Sequence, residues 1–178
     1  MAAFARDAIS AARRTPLVQV SVVGDRTALA AVLDGLDVPV VPDDGGGDLN
    51  QALRAASARL QSDGLGIAVL LADLPCLRTA DLEAALEQAV ERDTRMFVAD
   101  HAGTGTTLLV APPGHLLDPR FGHGSAAEHA ATGAKPVEGD LGSLRLDVDT
   151  TEDLDRAMRF GVGPDTERAV AALHRDEH

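Results

Sequence analysis

Residues 66–75 read GIAVLLADLP, a run of small and aliphatic residues that ends in Asp73 and a Leu-Pro turn. A strand without alternating polar residues is typical of a sheet interior that helices cover on both faces. The run therefore predicts a central strand of a layered fold. Asp73 follows directly, which places its carboxylate at the end of that strand.

The segments on either side alternate between strand and helix patterns. Predicted helices cover residues 2–14, 26–36, 49–61, 79–92, 125–131, 151–160 and 164–174. Predicted strands cover residues 17–23, 38–41, 66–72, 96–99, 107–111 and 144–149. Asp48 and Thr79 are the predicted caps of the helices that they begin. This alternation favours an α/β fold with a mostly parallel sheet between helices, and the length favours one domain, residues 1–178.

The composition excludes several classes of function. The chain has 16 Lys and Arg against 28 Asp and Glu, a net charge of −12, so binding to a nucleic-acid backbone or an anionic membrane is not expected. We find neither a signal-peptide pattern nor an apolar run long enough to span a membrane, and we expect a soluble cytoplasmic protein. An anionic substrate would then require a metal ion or local backbone donors to offset repulsion.

Cysteine and histidine provide no metal-binding pattern. Cys76 is the single cysteine, which excludes an internal disulfide and favours a reducing compartment. We interpret it as a small apolar filler. The six histidines have no ligand spacing, and we expect His123 and His129 to be surface residues.

Acidic residues follow several of the predicted strands. Ligands bind beyond the carboxyl ends of strands in open α/β sheets, where Asp25, Asp73, Asp147 and Asp149 would lie. Two such carboxylates from neighbouring strands can hold one Mg²⁺, which suits group transfer from a nucleoside triphosphate.

A local structural role is the alternative for these residues. A lone Asp after a strand is more often a turn former or a helix cap, and we expect this for Asp25 and Asp100. Asp149 or Thr150 could equally begin the helix at residue 151. For Asp73 the two interpretations stay open.

Two glycine-rich segments could bind an anion. GTGT, residues 103–106, could bring backbone N–H groups and threonine hydroxyls close to a phosphate or carboxylate, although a tight turn explains its glycines equally well. PRFGHGS, residues 119–125, leads directly into a helix, with Arg120 as a cation. That pattern predicts an anion site at the start of the helix, with Ser125 as a plain helix cap as the alternative.

Five segments together resemble one family in their order and spacing: LLADLP (70–75), ADHAGTGTTLL (99–109), DPRFGHGSAAEHAATGA (118–134), LRLDVDTTEDL (144–154) and GVGP (161–164). The sequence resembles the phosphoenolpyruvate / 2-phospho-L-lactate guanylyltransferases of coenzyme F-420 biosynthesis, in their actinobacterial form. The resemblance covers nearly the whole chain. It implies a Rossmann-like three-layer nucleotidyltransferase fold of the nucleotide-diphospho-sugar transferase type.

The resemblance also implies an activity and its residues. Phosphoenolpyruvate, or 2-phospho-L-lactate, would attack the α-phosphate of GTP and release pyrophosphate, with Mg²⁺ as cofactor. By position, Thr106, Gly122 and Ser125 match the contacts to the acid substrate. Asp73 and Asp147 match the catalytic, metal-binding carboxylates, and Asn50 matches a nucleotide-binding position.

The sequence departs from the family at its start. Members begin with an extra strand and a Lys/Arg-rich loop that holds the triphosphate, whereas here Met1 leads into a predicted helix and Lys135 is the single lysine. We therefore expect a domain shortened at its N-terminus, with an uncovered edge on the strand at 17–23. The alternatives are a non-catalytic paralogue that binds a phospho-acid or a partner, and a nucleotidyltransferase with another base or acceptor.

Overall fold

The computed structural model describes residues 2–61 and 64–176. The helices are α1 (Ala2–Arg14), α2 (Ala30–Leu33), α3 (Leu49–Leu60), α4 (Thr79–Glu91), α5 (Ser125–Ala131), α6 (Gly142–Arg145), α7 (Thr151–Phe160) and α8 (Pro164–Asp176). The strands are β1 (Val22–Val23), β2 (Val40–Val41), β3 (Ile67–Leu70), β4 (Met96–Ala99), β5 (Thr106–Ala111) and β6 (Lys135–Pro136). Among these residues, no helix is long and apolar enough to cross a membrane.

The larger sheet has the order β3-β5-β4-β6. Strand β5 is antiparallel to β3 and to β4, and β6 is parallel to β4, so β3, β4 and β6 share one direction. The smaller sheet pairs β1 with β2 in parallel. The predicted α/β class with mostly parallel strands is therefore confirmed, with β5 as the strand that runs against its neighbours.

Helices cover both faces of the larger sheet. Every residue of β5 is buried, and its side chains alternate between two apolar clusters. Leu108 and Val110 pack with residues of α1 and α4, whereas Leu109 and Ala111 pack with residues of α3, α5 and the loop before α5. This period of two is the geometry of a strand, and it makes β5 the centre of a three-layer structure.

The segment at 66–75 forms an edge of the larger sheet instead of its interior. Strand β3 pairs with β5 on one side, and no described strand pairs with its other side. No residue of β3 is buried, and Ala68 is exposed. The prediction of a central strand is therefore wrong, because β3 is paired with a described strand on one side only.

Several predicted elements are shorter than expected or absent. Only Val22–Val23 of residues 17–23 is a strand, and Leu17 is fully exposed. The predicted last strand at 144–149 is instead the short helix α6 and an extended segment. Its backbone is partly satisfied by side chains, since Asp81 accepts the Ser143 N–H at 3.1 Å and the Thr107 hydroxyl bonds the Leu144 carbonyl.

The predicted helix caps have different outcomes. Asp48 caps α3 by accepting the Gln51 N–H at 3.1 Å, as predicted. Thr79 does not cap α4, because the cap position is Arg78, and the Thr79 hydroxyl donates to the Ala11 carbonyl at 3.4 Å. Thr79 therefore joins α4 to α1 rather than beginning the helix.

Candidate active site

The candidate site lies where β3 and β4 end and β5 begins. Thr106, the first residue of β5, pairs with Ala99, the last residue of β4. The Leu71 N–H, just after β3, donates to the Thr107 carbonyl at 2.9 Å. The antiparallel direction of β5 therefore brings its N-terminal residue to the edge where Asp73 follows β3.

Asp73 and Asp147 come together at this edge through the backbone. The Val148 N–H donates to the Asp73 carbonyl at 3.1 Å, which holds the extended segment after α6 against the end of β3. One carboxylate oxygen of each residue, Oδ1, is buried and has no hydrogen-bond partner among the described residues. His101 Nδ1 lies 3.5 Å from Asp147 Oδ1, which is too long for a well-formed hydrogen bond.

The electrostatics of the two carboxylates are unfavourable without a cation. Burial raises the pKa of Asp73, and the neighbouring charges of Asp147 and Asp149 act in the same direction. Burial also raises the pKa of Asp147, with the carboxylates of Asp100 and Asp149 contributing. A hard divalent cation is bound by carboxylate oxygens, so it could occupy the unpaired buried oxygens of Asp73 and Asp147.

The other acidic residues have the structural roles considered above. Asp25 accepts the Ala28 N–H at 2.9 Å, and Asp100 accepts the N–H groups of Thr104 and Gly105. Thr150 caps α7 in a reciprocal pair with Asp153, whereas Asp149 is exposed. Within the described residues no group of three or more acidic, histidine or cysteine side chains could hold a metal ion, so Asp73 and Asp147 would need ligands from substrate or water.

The GTGT segment is a turn built on Asp100, not an open cradle for an anion. The Asp100 carboxylate accepts from Thr104 N at 2.9 Å and from Gly105 N at 2.8 Å, which occupies two of the donors that the sequence offered. A Cβ at Gly105 would lie 2.5 Å from Asp100 Oδ2, so only glycine fits there without a shift. Thr106 is the residue of this segment that faces the site.

The loop before α5 presents Gly122 and Ser125. Gly122 has φ of 137° and Gly124 has φ of 71°, backbone conformations that favour glycine. The helix cap is Gly124, so Ser125 is the first helical residue and does not have the cap role that was the alternative interpretation. Among the described residues, neither the Ser125 hydroxyl nor the Gly122 N–H has a hydrogen-bond partner, and both are free for a ligand.

His129 is a buried residue of the site, which corrects its prediction as a surface residue. Its side chain is fully buried, because α5 turns it inward between Phe97 and Phe121. Nδ1 lies 2.9 Å from the Thr106 hydroxyl, and Nε2 accepts the Arg120 N–H at 2.9 Å. Helical spacing from Ser125 could have indicated this, since residues four apart share one face of a helix. His123 is exposed, as predicted.

Comparison with known proteins identifies the family. The model of the MobA-like NTP transferase domain matches residues 3–136. A phosphoenolpyruvate guanylyltransferase of Salinispora arenicola is 49% identical over 92% of this chain and 77% of its own length. The chain belongs to the phosphoenolpyruvate guanylyltransferase family of MobA-like NTP transferases.

Further relatives agree with this assignment, which was predicted from the sequence. The phosphoenolpyruvate guanylyltransferase of Streptomyces avermitilis is 45% identical over 96% of this chain and 81% of its own length. That of Geodermatophilus obscurus is 46% identical over 97% of this chain and 79% of its own length. As a member of this family, the protein is a nucleotidyltransferase.

Solved structures confirm the nucleotidyltransferase fold. A 4-diphosphocytidyl-2C-methyl-D-erythritol synthase superposes with a TM-score of 0.61 and 17% identity, covering 88% of this chain and 89% of the other. A protein of Mycobacterium tuberculosis H37Rv superposes with a TM-score of 0.57 and 26% identity, covering 88% and 83%. The Rossmann-like layered arrangement is thus shared with known structures.

In this guanylyltransferase-family member, Asn50 holds the loop before α5. Its Nδ2 donates to the Phe121 carbonyl at 2.9 Å, and its Oδ1 accepts the Phe121 N–H at 2.8 Å. Both polar atoms of the amide are therefore used on one peptide segment. Its assignment to the nucleotide stays a prediction.

A cleft with three arginines lies on the His101 side of Asp147 in this family member. Its volume is about 510 Å³, and its lining includes His101, Arg145, Arg156 and Arg159. Arg156 donates to His101 Nε2 at 2.7 Å and to Asp153 at 2.9 Å. His101 Nδ1 lies 3.5 Å from Asp147, so His101 connects this cleft to one of the two carboxylates.

Cys76 is a buried packing residue, as predicted. Its thiol donates to the Ala157 carbonyl at 3.4 Å, and burial raises its pKa to about 11. A thiol with this pKa is protonated at neutral pH and is not a nucleophile.

Proposed function

We propose that the protein transfers GMP from GTP to phosphoenolpyruvate and releases pyrophosphate, as a step of coenzyme F-420 biosynthesis. An oxygen of the acid's phosphate forms a bond to the α-phosphorus of GTP. The bond from that phosphorus to the oxygen bridging to the β-phosphate breaks, and pyrophosphate leaves with both electrons of that bond. The names of the relatives support GTP and phosphoenolpyruvate as the substrate pair.

The acid substrate binds at Thr106, Gly122 and Ser125 in this proposal. The N–H of Gly122 and the hydroxyl of Ser125 have no partner among the residues that the structure describes, so they can donate to carboxylate or phosphate oxygens. Thr106 opens β5 beside the end of β3, close in register to Asp73. A bond to a charged oxygen is stronger than one between neutral groups, which suits an anionic substrate.

Asp73 and Asp147 would hold Mg²⁺, and their buried oxygens, which have no partner within residues 2–61 and 64–176, fit that ion. When bound, Mg²⁺ offsets charge on the phosphates at the reacting phosphorus. Arg145, Arg156 and Arg159 line a cleft whose His101 lies 3.5 Å from Asp147, and in this proposal they supply positive charge for the other phosphates of GTP. Asn50 remains the proposed nucleotide residue by its position, although a direct contact requires that its amide leave Phe121.

One observation carries the proposal: two carboxylates with unpaired buried oxygens share an edge of the sheet with Thr106 and the loop before α5. A metal pair alone fits many nucleotidyltransferases, and an anion loop alone fits a binding protein. Their placement on one edge fits transfer between a nucleotide and a small acid, since positioning and charge compensation provide most of phosphoryl-transfer catalysis.

Pyrophosphate release tests the proposal. The protein is incubated with Mg²⁺, phosphoenolpyruvate and either GTP or CTP, and then with 2-phospho-L-lactate in place of phosphoenolpyruvate. We expect release with GTP and phosphoenolpyruvate, and a product whose mass is that of the acid plus GMP minus water. Faster release with CTP or with phospholactate would correct the base or the acceptor.

Variants separate catalysis from binding. Asp73→Asn and Asp147→Asn should abolish release, whereas Asp155→Asn, the same charge change at an exposed residue of α7, should not. Calorimetry with phosphoenolpyruvate alone measures binding independently. Binding without pyrophosphate release from any nucleotide would overturn the enzymatic proposal in favour of a non-catalytic binding protein.

A further inference from the structure

The imidazole of His129 joins the two halves of the candidate acid site. One half is Thr106 at the start of β5, and the other is the loop that carries Gly122 and Ser125. His129 reaches Thr106 Oγ1 through Nδ1 at 2.9 Å and the Arg120 N–H through Nε2 at 2.9 Å. The ring is fully buried, so water cannot replace either contact.

The positions of the hydrogens follow from the chemistry of the partners. A backbone N–H can only donate, so Nε2 must accept and carries no hydrogen. A neutral imidazole then carries its hydrogen on Nδ1, which donates to Thr106 Oγ1. Burial lowers the pKa of His129 to about 4, with Arg95 and Arg120 acting in the same direction, which agrees with a neutral ring.

If His129 Nδ1 donates to the Thr106 oxygen, the hydroxyl hydrogen of Thr106 is not used in that bond. The Thr106 oxygen accepts from His129, and no other hydrogen bond of that hydroxyl exists among the described residues. Thr106 is almost completely buried, so its hydrogen can be satisfied only by an acceptor that enters the site. A threonine without such a neighbour could rotate and act as donor or acceptor.

We propose that His129 is a positioning residue that fixes the Thr106 hydroxyl as a hydrogen-bond donor to a carboxylate or phosphate oxygen of the acid substrate, and holds the Arg120 peptide in register with it. The proposal rests on the proposed function, in which Thr106 contacts the acid. With its hydroxyl fixed as a donor, Thr106 selects ligand atoms that accept a hydrogen bond. His129 itself does not touch the substrate.

The loop is attached at two consecutive peptides, which gives the proposal a structural basis. His129 accepts the Arg120 N–H, and Asn50 holds the N–H and carbonyl of Phe121. The Phe121 ring also packs edge-on against the imidazole, with ring centroids 5.1 Å apart. Gly122 follows these two peptides, so its N–H direction depends on both attachments.

Nuclear magnetic resonance tests the hydrogen assignment without any activity. Long-range proton–nitrogen correlation of the folded protein at neutral pH distinguishes a protonated Nδ1 from a protonated Nε2. We expect His129 in the Nδ1–H form. A protonated Nε2, or equal population of both forms, would overturn the proposal.

Two variants divide the functions of the ring. The amide nitrogen of Asn can occupy the Nδ1 position, so His129→Asn keeps a donor to Thr106. The amide of Gln can occupy the Nε2 position, so His129→Gln keeps an acceptor for Arg120 and loses the donor to Thr106. We expect His129→Gln to raise the KM for phosphoenolpyruvate about tenfold, the scale of one hydrogen bond to a charged group.

A positioning role of His129 predicts a change in the KM for phosphoenolpyruvate without a comparable change in the other kinetic constants. In His129→Gln, kcat and the KM for GTP should change little, and His129→Asn should recover part of the lost affinity for phosphoenolpyruvate. Melting temperature identifies variants that fail to fold, and His115→Gln is the matched control, since His115 follows β5 outside the acid loop and its ring bonds the exposed Asp93 at 3.0 Å. Equal effects of Asn and Gln on the KM for phosphoenolpyruvate would overturn the proposal.

Thr106 variants separate failure of this inference from failure of the proposed function. Thr106→Val removes the donor and should weaken phosphoenolpyruvate binding, whereas Thr106→Ser should retain it. If Thr106→Val has no effect, the acid site itself is wrong. If Thr106→Val weakens binding but His129→Gln does not, the acid site stands and the role of His129 is wrong.

Discussion

At the scale of single residues, the same side chain serves different purposes according to its partners. Asp25, Asp100 and Asp153 have their carboxylates engaged by backbone or hydroxyl groups of nearby turns and helix ends. Asp73 and Asp147 each leave a buried oxygen without a partner in the described part of the chain. Because a buried polar group without a partner is costly, and most so when it is charged, these two are the acidic residues that point to function.

The pH dependence of stability should reveal the buried charge of Asp73. Its pKa in the folded protein is raised above the ordinary value of 3.8, so the folded state favours the protonated form. The stability that this provides is full below pH 3.8 and is lost as the pH rises through the folded-state pKa. Without metal, Asp73→Asn should therefore melt at a higher temperature than the original protein at pH 7, and the difference should vanish at low pH.

Adding Mg²⁺ at pH 7 provides the second measurement. The ion should raise the melting temperature of the original protein and leave that of Asp73→Asn unchanged, since binding to the folded state alone stabilises it. Asp155→Asn is the charge-matched control and should respond to Mg²⁺ as the original protein does. A variant that loses stability at pH 7 without metal would contradict the burial argument.

Ser125 should affect substrate binding and not stability. Its hydroxyl makes no hydrogen bond to the described residues, so Ser125→Ala should leave the melting temperature unchanged and weaken phosphoenolpyruvate binding by about 1–3 kcal/mol. Calorimetry and thermal unfolding measure the two effects. Ser143→Ala is the matched control: Ser143 bonds Asp81 at 2.7 Å, so its loss should reduce stability and leave acid binding intact.

At the scale of elements, strand direction and helix caps assemble the site. Strand β5 runs against β3 and β4, and this reversal brings Thr106 to the edge where the other two strands end. Helix α5 begins at Ser125 and turns His129 inward one turn later. The site thus depends on the residues at which β5 and α5 begin. A shift of one residue in either element would separate Thr106 from His129.

The capping box of α7 is a test at this scale. Thr150 accepts the Asp153 N–H, and the Asp153 carboxylate accepts the Thr150 N–H at 3.1 Å. Thr150→Ala should reduce the free energy of unfolding by about 1 kcal/mol, the usual effect of losing a helix cap. Thr151→Ala, at the exposed next position, should cost less in chemical denaturation. Equal losses would show that the cap does not stabilise α7.

At the scale of the whole molecule, the described strands form two separate sheets. Strands β1 and β3 each have an edge that no described strand covers, and β3 is composed of apolar residues. An unpaired apolar edge can pair with another chain. The sequence predicted an open edge on the strand at 17–23. The structure has a further open edge on β3.

Self-association through β3 is the expected consequence. Ala68 is exposed on this strand, so Ala68→Lys should reduce light scattering at high protein concentration, because charge on an edge strand opposes pairing. Ala80→Lys, the same change at an exposed position of α4, should have little effect. Equal reductions would assign the effect to net charge and not to the strand edge.

Local patterns predicted most of the helices. Helices α1, α5 and α7 begin and end at the predicted residues. The ends of these helices depend on nearby caps and glycines, which are visible in the sequence. The region at 144–149 was predicted wrongly because its apolar alternation resembles a strand, whereas Asp81 and Thr107 satisfy its backbone from distant elements. No local pattern contains that information.

The amino-acid sequence by itself determined the α/β class, the family, and the candidate residues Asp73, Thr106, Gly122, Ser125 and Asp147, because these depend on local patterns and ordered motifs. Only the tertiary structure decided which of them share an edge, that Asn50 holds Phe121, and that His129 is buried between Thr106 and Arg120. Strand pairing and burial join residues far apart in the chain, and burial gives a polar atom its cost or its function.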